Sequence, residues 1–146
     1  MTSHSSGVSE RLLETLAILM VSEIKIAKSS VSPTQRATKI LRDLGHTYQI
    51  VETWNYFAKK RQDLWGIGDI LVMDGLPGSF LIQVSSASGH SARVKKALAE
   101  PRLLEWLEAG NRFSVWTFGL RGKAGARKKW ELRETVMTVK DFRDEK

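Results

Sequence analysis

The residues best placed to do chemistry lie in the stretch GIGDILVMDGLPGSFLIQVSS, residues 66–86. It reads as two apolar strands joined by a turn built on Gly75, Pro77 and Gly78. An acid, Asp69, opens the first strand; an amide, Gln83, sits inside the second, followed by Ser85. If the hairpin is symmetric about Leu76, Asp69 and Gln83 stand opposite each other, each seven residues from the centre. Opposed residues have Cβ atoms about 4.5–5.5 Å apart on one face, and Ser85, two residues further on, shares it. A slip of one residue would scatter the group. Ile70, Val72, Ile82 and Val84 occupy the other face, with Leu71, Met73 and Leu81 beside the polar group. That pattern fits central strands covered on both sides. Oxygens gathered at strand ends suit a hard cation, Mg²⁺ or Mn²⁺. In phosphodiester hydrolysis such an ion polarises the phosphate and activates a water. Asp63 and Glu52 are auxiliary carboxylates with weaker claims.

The elements that must position these groups follow from periodicity and breakers. Residues 1–8 form a polar tail, residues 9–28 have helical apolar spacing, and KSSVSP has linker composition. Met20 is a candidate alternative start. The reading is an N-terminal extension over 1–31, partly disordered or loosely helical, and an α/β domain over 32–146. Ser32, Pro33 and Gln35 make a helix start of the capping-box kind, Ala37, Ile40, Leu41 and Leu44 its apolar stripe, and Gly45 its stop. Residues 47–53 read as a strand and 54–66 as an irregular stretch, followed by the hairpin. Helices follow over 88–99 and from Pro101 to Gly110, then strands over 112–119 and 128–138. In the last strand Trp130, Leu132 and Val136 alternate with Glu131, Arg133 and Thr135. On the first of these helices, His90, Arg93 and Lys96 are expected to face away from Val94, Ala97 and Leu98. The order predicts a mixed central β-sheet flanked by helices.

Charge points to a polyanion. The net charge is +7, and the first thirty residues balance three bases with three acids, so the excess lies in the domain. Residues 121–133, RGKAGARKKWELR, hold six bases and one acid. Arg121, Lys123, Arg127, Lys128 and Lys129 would follow a phosphate backbone from a loop between two strands. Lys59, Lys60 and Arg61 lie among Trp54, Tyr56, Phe57 and Trp65, where aromatic rings could stack on unpaired bases. Other chemistries find no footing. There is no cysteine, which excludes thiolate chemistry and disulfides and fits a cytoplasmic location. His4, His46 and His90 lack zinc spacing, and no nucleophile elbow, Walker loop or complete dinucleotide fingerprint occurs. The longest apolar run, Leu12–Val21, contains Glu14 and is too short to cross a membrane.

The helix–strand–hairpin–helix order, the phrase GIGDIL and the apolar strand LIQVSS resemble the PD-(D/E)XK, or restriction-endonuclease-like, nuclease superfamily over residues 33–119. The nearest in character are its small Holliday-junction-resolvase-like and phage-encoded members, some of whose phrasing WNYFAKKRQDLWGIGDIL resembles. The resemblance implies an αβββαβ core, a bound Mg²⁺ or Mn²⁺, a DNA substrate and, in many relatives, a homodimer. Asp69 matches the metal-binding acid of the first motif. Gln83 falls where a second acid is usual, Ser85 where a lysine is usual, and Gln35 near a glutamate of the first helix. Glutamine can ligate a metal but brings no charge, and serine cannot stabilise a hydroxide as an ammonium does. Arg93 or Lys96 would then supply the missing positive charge from the following helix. The expectation is a metal-dependent endodeoxyribonuclease acting on branched or other DNA. The alternatives are an inactive nucleic-acid-binding module of the same fold, or an interaction protein whose basic patch meets a protein partner.

Overall fold

The computed structural model describes residues 31–143, and the chain divides between Ser32 and Pro33 into two units. The fold is that of the second unit, Pro33–Lys146. The expectations for residues 1–30, including the tail, the 9–28 helix and a start at Met20, lie outside the described residues.

Helix α1 (Pro33–Asp43) ends where Gly45 takes a left-handed φ of 78°. Strand β1 (Thr47–Ile50) follows, then a small hairpin of β2 (Thr53–Asn55) and β3 (Lys60–Gln62). Strands β4 (Ile70–Met73) and β5 (Phe80–Ser86) form the second hairpin. A 3₁₀ turn over Ala87–Gly89 leads into α2 (His90–Leu98), and α3 (Pro101–Glu108) begins with proline in its first turn and Glu100 as cap. Strands β6 (Arg112–Arg121) and β7 (Lys129–Met137) precede a short helix α4 (Val139–Arg143).

Five strands make one mixed sheet in the order β1-β4-β5-β6-β7, while β2 and β3 pair separately. β1, β4 and β5 form an antiparallel meander, β6 lies parallel to β5, and β7 returns antiparallel. The parallel step is made by α2 and α3, as a crossover requires. One face of the sheet carries Ile70, Val72, Ile82, Val84, Trp116 and Phe118 against Ala37 and Leu41 of α1. The other carries Leu81, Phe113 and Val115 against Ala97, Leu103 and Leu107 of α2 and α3. Both faces are therefore covered, which is why β4 and β5 read as continuous apolar runs.

The far hairpin turn is pinned by charge. Arg112 at the start of β6 grips both oxygens of Asp74 at 2.7 Å and lies over the Phe80 ring. This guanidinium holds the Asp74 carboxyl down at about 2. Asn111 Oδ1 accepts the Ser79 amide at 2.9 Å, so the turn cannot slide against β6.

Several local expectations change. The strand expected over 47–53 breaks after Ile50, and the stretch expected to be irregular contains β2 and β3. The last strand keeps its alternation but buries little of it: Trp130, Leu132 and Val136 lie on the face of Trp116 and Phe118 yet are exposed, and in β7 only Met137 is buried. β7 is an edge strand, so its apolar ladder is little covered although it lies on the α1 face; there the Arg36 guanidinium stands over the Trp130 ring at 3.9 Å. His90 does not face solvent. It is buried, with Nδ1 2.6 Å from Thr117 Oγ1 and Nε2 2.7 Å from Thr135 Oγ1. Hydroxyls on β6 and β7 satisfy both ring nitrogens, which removes the cost of burying them. Burial, then the charges of Arg133 and Arg121, lower its pKa.

Candidate metal centre and basic groove

The ladder of β4 and β5 pairs Ile70 with Ile82, Leu71 with Leu81 and Val72 with Phe80. The same register carried one step outward sets Asp69 against Gln83. The Asp69 amide donates to the Ile82 carbonyl, and its own carbonyl accepts from Val51, both at 2.8 Å. Its backbone is thus held between β5 and the chain leaving β1. Beyond Asp69 the chain turns away, leaving the Val84 amide without a strand partner on that side. Asp69 Oδ2 accepts that amide at 2.7 Å and the Gln83 Nε2 at 2.7 Å. Both side chains are buried, at 5% and 2% exposure.

Two further carboxylates join them. β2 and β3 pair Thr53 with Gln62, so Glu52 and Asp63 occupy the next opposed positions at the foot of that hairpin. A tight turn, Leu64–Gly68, then reverses the chain into β4: Trp65 and Gly66 both have left-handed φ values, 56° and 74°, and Ile67 donates back to the Leu64 carbonyl. A left-handed tryptophan costs about 1–2 kcal/mol; its ring packs edge-on against Trp106 at 5.6 Å, which offsets that strain. This reversal brings Asp63 over Asp69. Oxygens of Glu52, Asp63 and Asp69 lie within 4.8 Å of one another, and Gln83 Nε2 reaches Asp63 Oδ2 at 3.4 Å. Burial pushes the Asp69 carboxyl up to about 6; the Asp63 and Glu52 charges push the same way, against the hydrogen bonds from Val84 and Gln83.

Gln83 Oε1 is buried and has no hydrogen-bond partner. A buried carbonyl without a donor costs about 1–3 kcal/mol. Here it belongs to the side chain inserted among the carboxylates. A single divalent cation would satisfy both features. Oxygens on opposite sides of such an ion lie about 4–5 Å apart, which matches the spacing of the three acids. Rotating the Gln83 amide would then bring Oε1 to the ion as a ligand, in exchange for the Nε2 hydrogen bonds to Asp69 and Asp63.

The remaining sequence-selected residues take distinct places. Ser85 is half-buried and directed at the 3₁₀ turn, where a β-carbon on Gly89 would lie 2.7 Å from its Oγ. Arg93 is half-buried on α2. Lys96, two turns into the same helix, leans over the Leu64–Gly68 turn: a β-carbon on Gly66 would lie 3.9 Å from its Nζ. Gln35 is exposed on α1, whose buried residues pack on the opposite face of the sheet from Asp69 and Gln83. Lys59, Lys60 and Arg61 are exposed on the β2–β3 hairpin, and Arg61 approaches Glu52 at 3.6 Å. An open groove of about 480 Å³ is bordered by Lys60, Arg61, Asp63, Trp65, Lys96 and Arg102. Arg102 had no sequence signal; it reads as an ordinary first-turn residue beside Pro101. Arg121 and Lys129 face each other across the β6–β7 ladder, with Lys123, Arg127 and Lys128 on the exposed connection. Because β5 and β6 are parallel, that connection leaves the sheet at the same end as Asp69 and Gln83.

No protein-family model matches this chain, and neither the curated proteins nor the solved structures yield a match. No described helix is long and apolar enough to cross a membrane.

Proposed function

We propose that this domain is a divalent-cation-dependent phosphodiesterase acting on DNA, built on a restriction-endonuclease-like core. The observation that carries the reading is the orphaned Gln83 Oε1 on a side chain inserted among three carboxylates. Support also comes from the order α1, β1, β4, β5, α2–α3, β6, an antiparallel meander closed by a parallel strand, with the acids at one end. Asp69, Asp63, Glu52 and Gln83 would hold Mg²⁺ or Mn²⁺. Such an ion supplies charge to a phosphoryl oxygen and acidity to a water. The chain's own residues hold the strand: Lys96 and Lys60 border the groove beside Asp63, and the 121–129 segment neutralises backbone phosphates at the same end of the sheet.

The site departs from an acid-x-lysine arrangement. Glu52 and Asp63 supply charge that Gln83 lacks, and of Arg93 and Lys96 it is Lys96 that borders the groove with Asp63. A second reading, a DNA-binding module without cutting, is favoured by one observation: Asp69 already has a structural task in closing the Val84 amide. Linear, single-stranded and branched DNA incubated with Mg²⁺ or Mn²⁺ separates the two. Metal-dependent cutting that is lost in Asp69→Ala is the expected result. Salt-sensitive binding without cutting in the wild-type protein would replace the first reading by the second, and no binding at low salt would sink both.

A further inference from the structure

We propose that the β2–β3 hairpin is a base-stacking arm that holds an unpaired stretch of DNA and leads its backbone to the carboxylates. The proposal rests on the phosphodiesterase reading and adds the substrate class. The arm rises directly from two of the three acids, since Glu52 and Asp63 stand at its foot. Trp54 opposes Arg61 in its ladder, and alternation puts both on the side of Glu52 and Asp63. From Glu52 to Tyr56 the arm extends about 13 Å at ~3.3 Å per residue, the scale of a few nucleotides.

Its aromatics are displayed rather than packed. Trp54 is 47% exposed, Tyr56 80% and Phe57 fully exposed. Large apolar rings held in water at a loop tip mark a contact surface. The tip is also built to hold them there. Asn55 Oδ1 accepts the amides of Phe57 and Ala58, both at 2.9 Å, and its Nδ2 donates to Gln62 Oε1 across the hairpin at 2.8 Å. Trp54 and Tyr56 meet edge to face at 6.4 Å. A preordered platform loses little entropy on binding.

Charge decides what the platform meets. Lys59, Lys60 and Arg61 stand among the rings, and the groove at the foot of the arm adds Lys96. None of the three lysines forms an ion pair with another described residue. Rings interleaved with uncommitted cations match a chain of bases on phosphates. A closed duplex offers no free base faces, so these rings distinguish unpaired DNA from paired.

The test is equilibrium binding of the full chain, in chelator and therefore without cutting, to a labelled oligothymidylate and to a blunt duplex of equal length. Tyr56→Ala and Phe57→Ala are each expected to weaken single-strand binding about 5- to 100-fold and to leave duplex binding unchanged, while Tyr56→Phe keeps wild-type affinity. Both side chains are exposed, so circular dichroism should show the alanine variants folded. Unchanged single-strand binding, or equal loss on both DNAs, overturns the proposal, as does capture of a protein ligand by the tip with no DNA dependence on Tyr56 or Phe57. Wild-type cutting combined with unchanged single-strand binding in the variants would remove the arm and leave the phosphodiesterase. Selective loss of single-strand binding without any wild-type cutting would do the reverse.

Discussion

Replacing Asp69 by asparagine should stabilise the metal-free protein, by an amount that grows as pH rises above about 4 and is full at neutral and higher pH. The Asp69 carboxyl is pushed from 3.8 up to about 6, first by burial and then by Asp63 and Glu52. Between those values the folded chain binds more protons than the unfolded one, so stability falls as pH rises through about 6. At 1.36 kcal/mol per pH unit, the ionised side chain costs about 3 kcal/mol once the pH exceeds about 7. Asparagine keeps the shape and has no charge to desolvate. Its carbonyl can accept both the Val84 amide and Gln83 Nε2, as Asp69 Oδ2 does. Thermal melts of wild type and Asp69→Asn in chelator should nearly coincide at about pH 3.5. They should separate mostly between about pH 4 and 6, and differ by about 10 °C at pH 8, given roughly 3–5 °C per kcal/mol at this size. Titrating groups away from this cluster are common to both proteins and cancel in the difference; Asp63 and Glu52, coupled to Asp69, lose a repulsive neighbour in the variant, which adds to its stabilisation. A variant less stable than wild type at pH 8, or a difference independent of pH, would refute the reasoning.

Gln83→Glu should raise Mn²⁺ affinity about tenfold by adding a ligand charge and should lower metal-free stability at pH 8; calorimetric titration and melts in chelator check the two halves. Gly68→Ala should cost about 1–3 kcal/mol, because its β-carbon would stand 2.6 Å from the fully buried Leu81 side chain; urea denaturation measures it, and DNA cutting should fall because the turn that sets Asp69 is displaced. Asp74→Asn should destabilise by about 1–2 kcal/mol at pH 7 through loss of its charge-assisted pair with Arg112. The Asp74 pKa is depressed from 3.8 to about 2, so that stabilisation is present above 3.8 and lost as pH falls through about 2; denaturation at pH 7 and pH 2 should show the difference disappearing.

The central hairpin was legible because its signal is local. Continuous apolar strands, glycine and proline turn residues and an odd-length connection fix the register that sets Asp69 beside Gln83. Helices with clear breakers, at Gly45, Pro101 and Gly110, appear within a few residues of their expected ends. What escaped, or carried only a weak claim, depends on partners distant in sequence. Glu52 and Asp63 are eleven residues apart and meet only because β2 and β3 pair, and three-residue strands leave almost no periodic trace. His90 sits at a polar helical position and is buried only because β6 and β7 supply Thr117 and Thr135. The apolar ladder of β7 follows the strand rule and lies on the α1 face, but its edge position leaves it exposed, with Arg36 of α1 over Trp130. The missing acid-x-lysine pattern is likewise intelligible only in space, where Asp63, Glu52 and Lys96 come from a hairpin and a helix on either side of β4 and β5 in sequence.

Calorimetric titration of Mn²⁺ into the full chain at pH 7.5 tests the central claim most directly. The account predicts one ion bound per chain, weakened at least about tenfold in Asp69→Asn and in Asp63→Asn, with proton release that shrinks as the pH is raised from 6 to 8. No saturable binding, or binding indifferent to both substitutions, would contradict it.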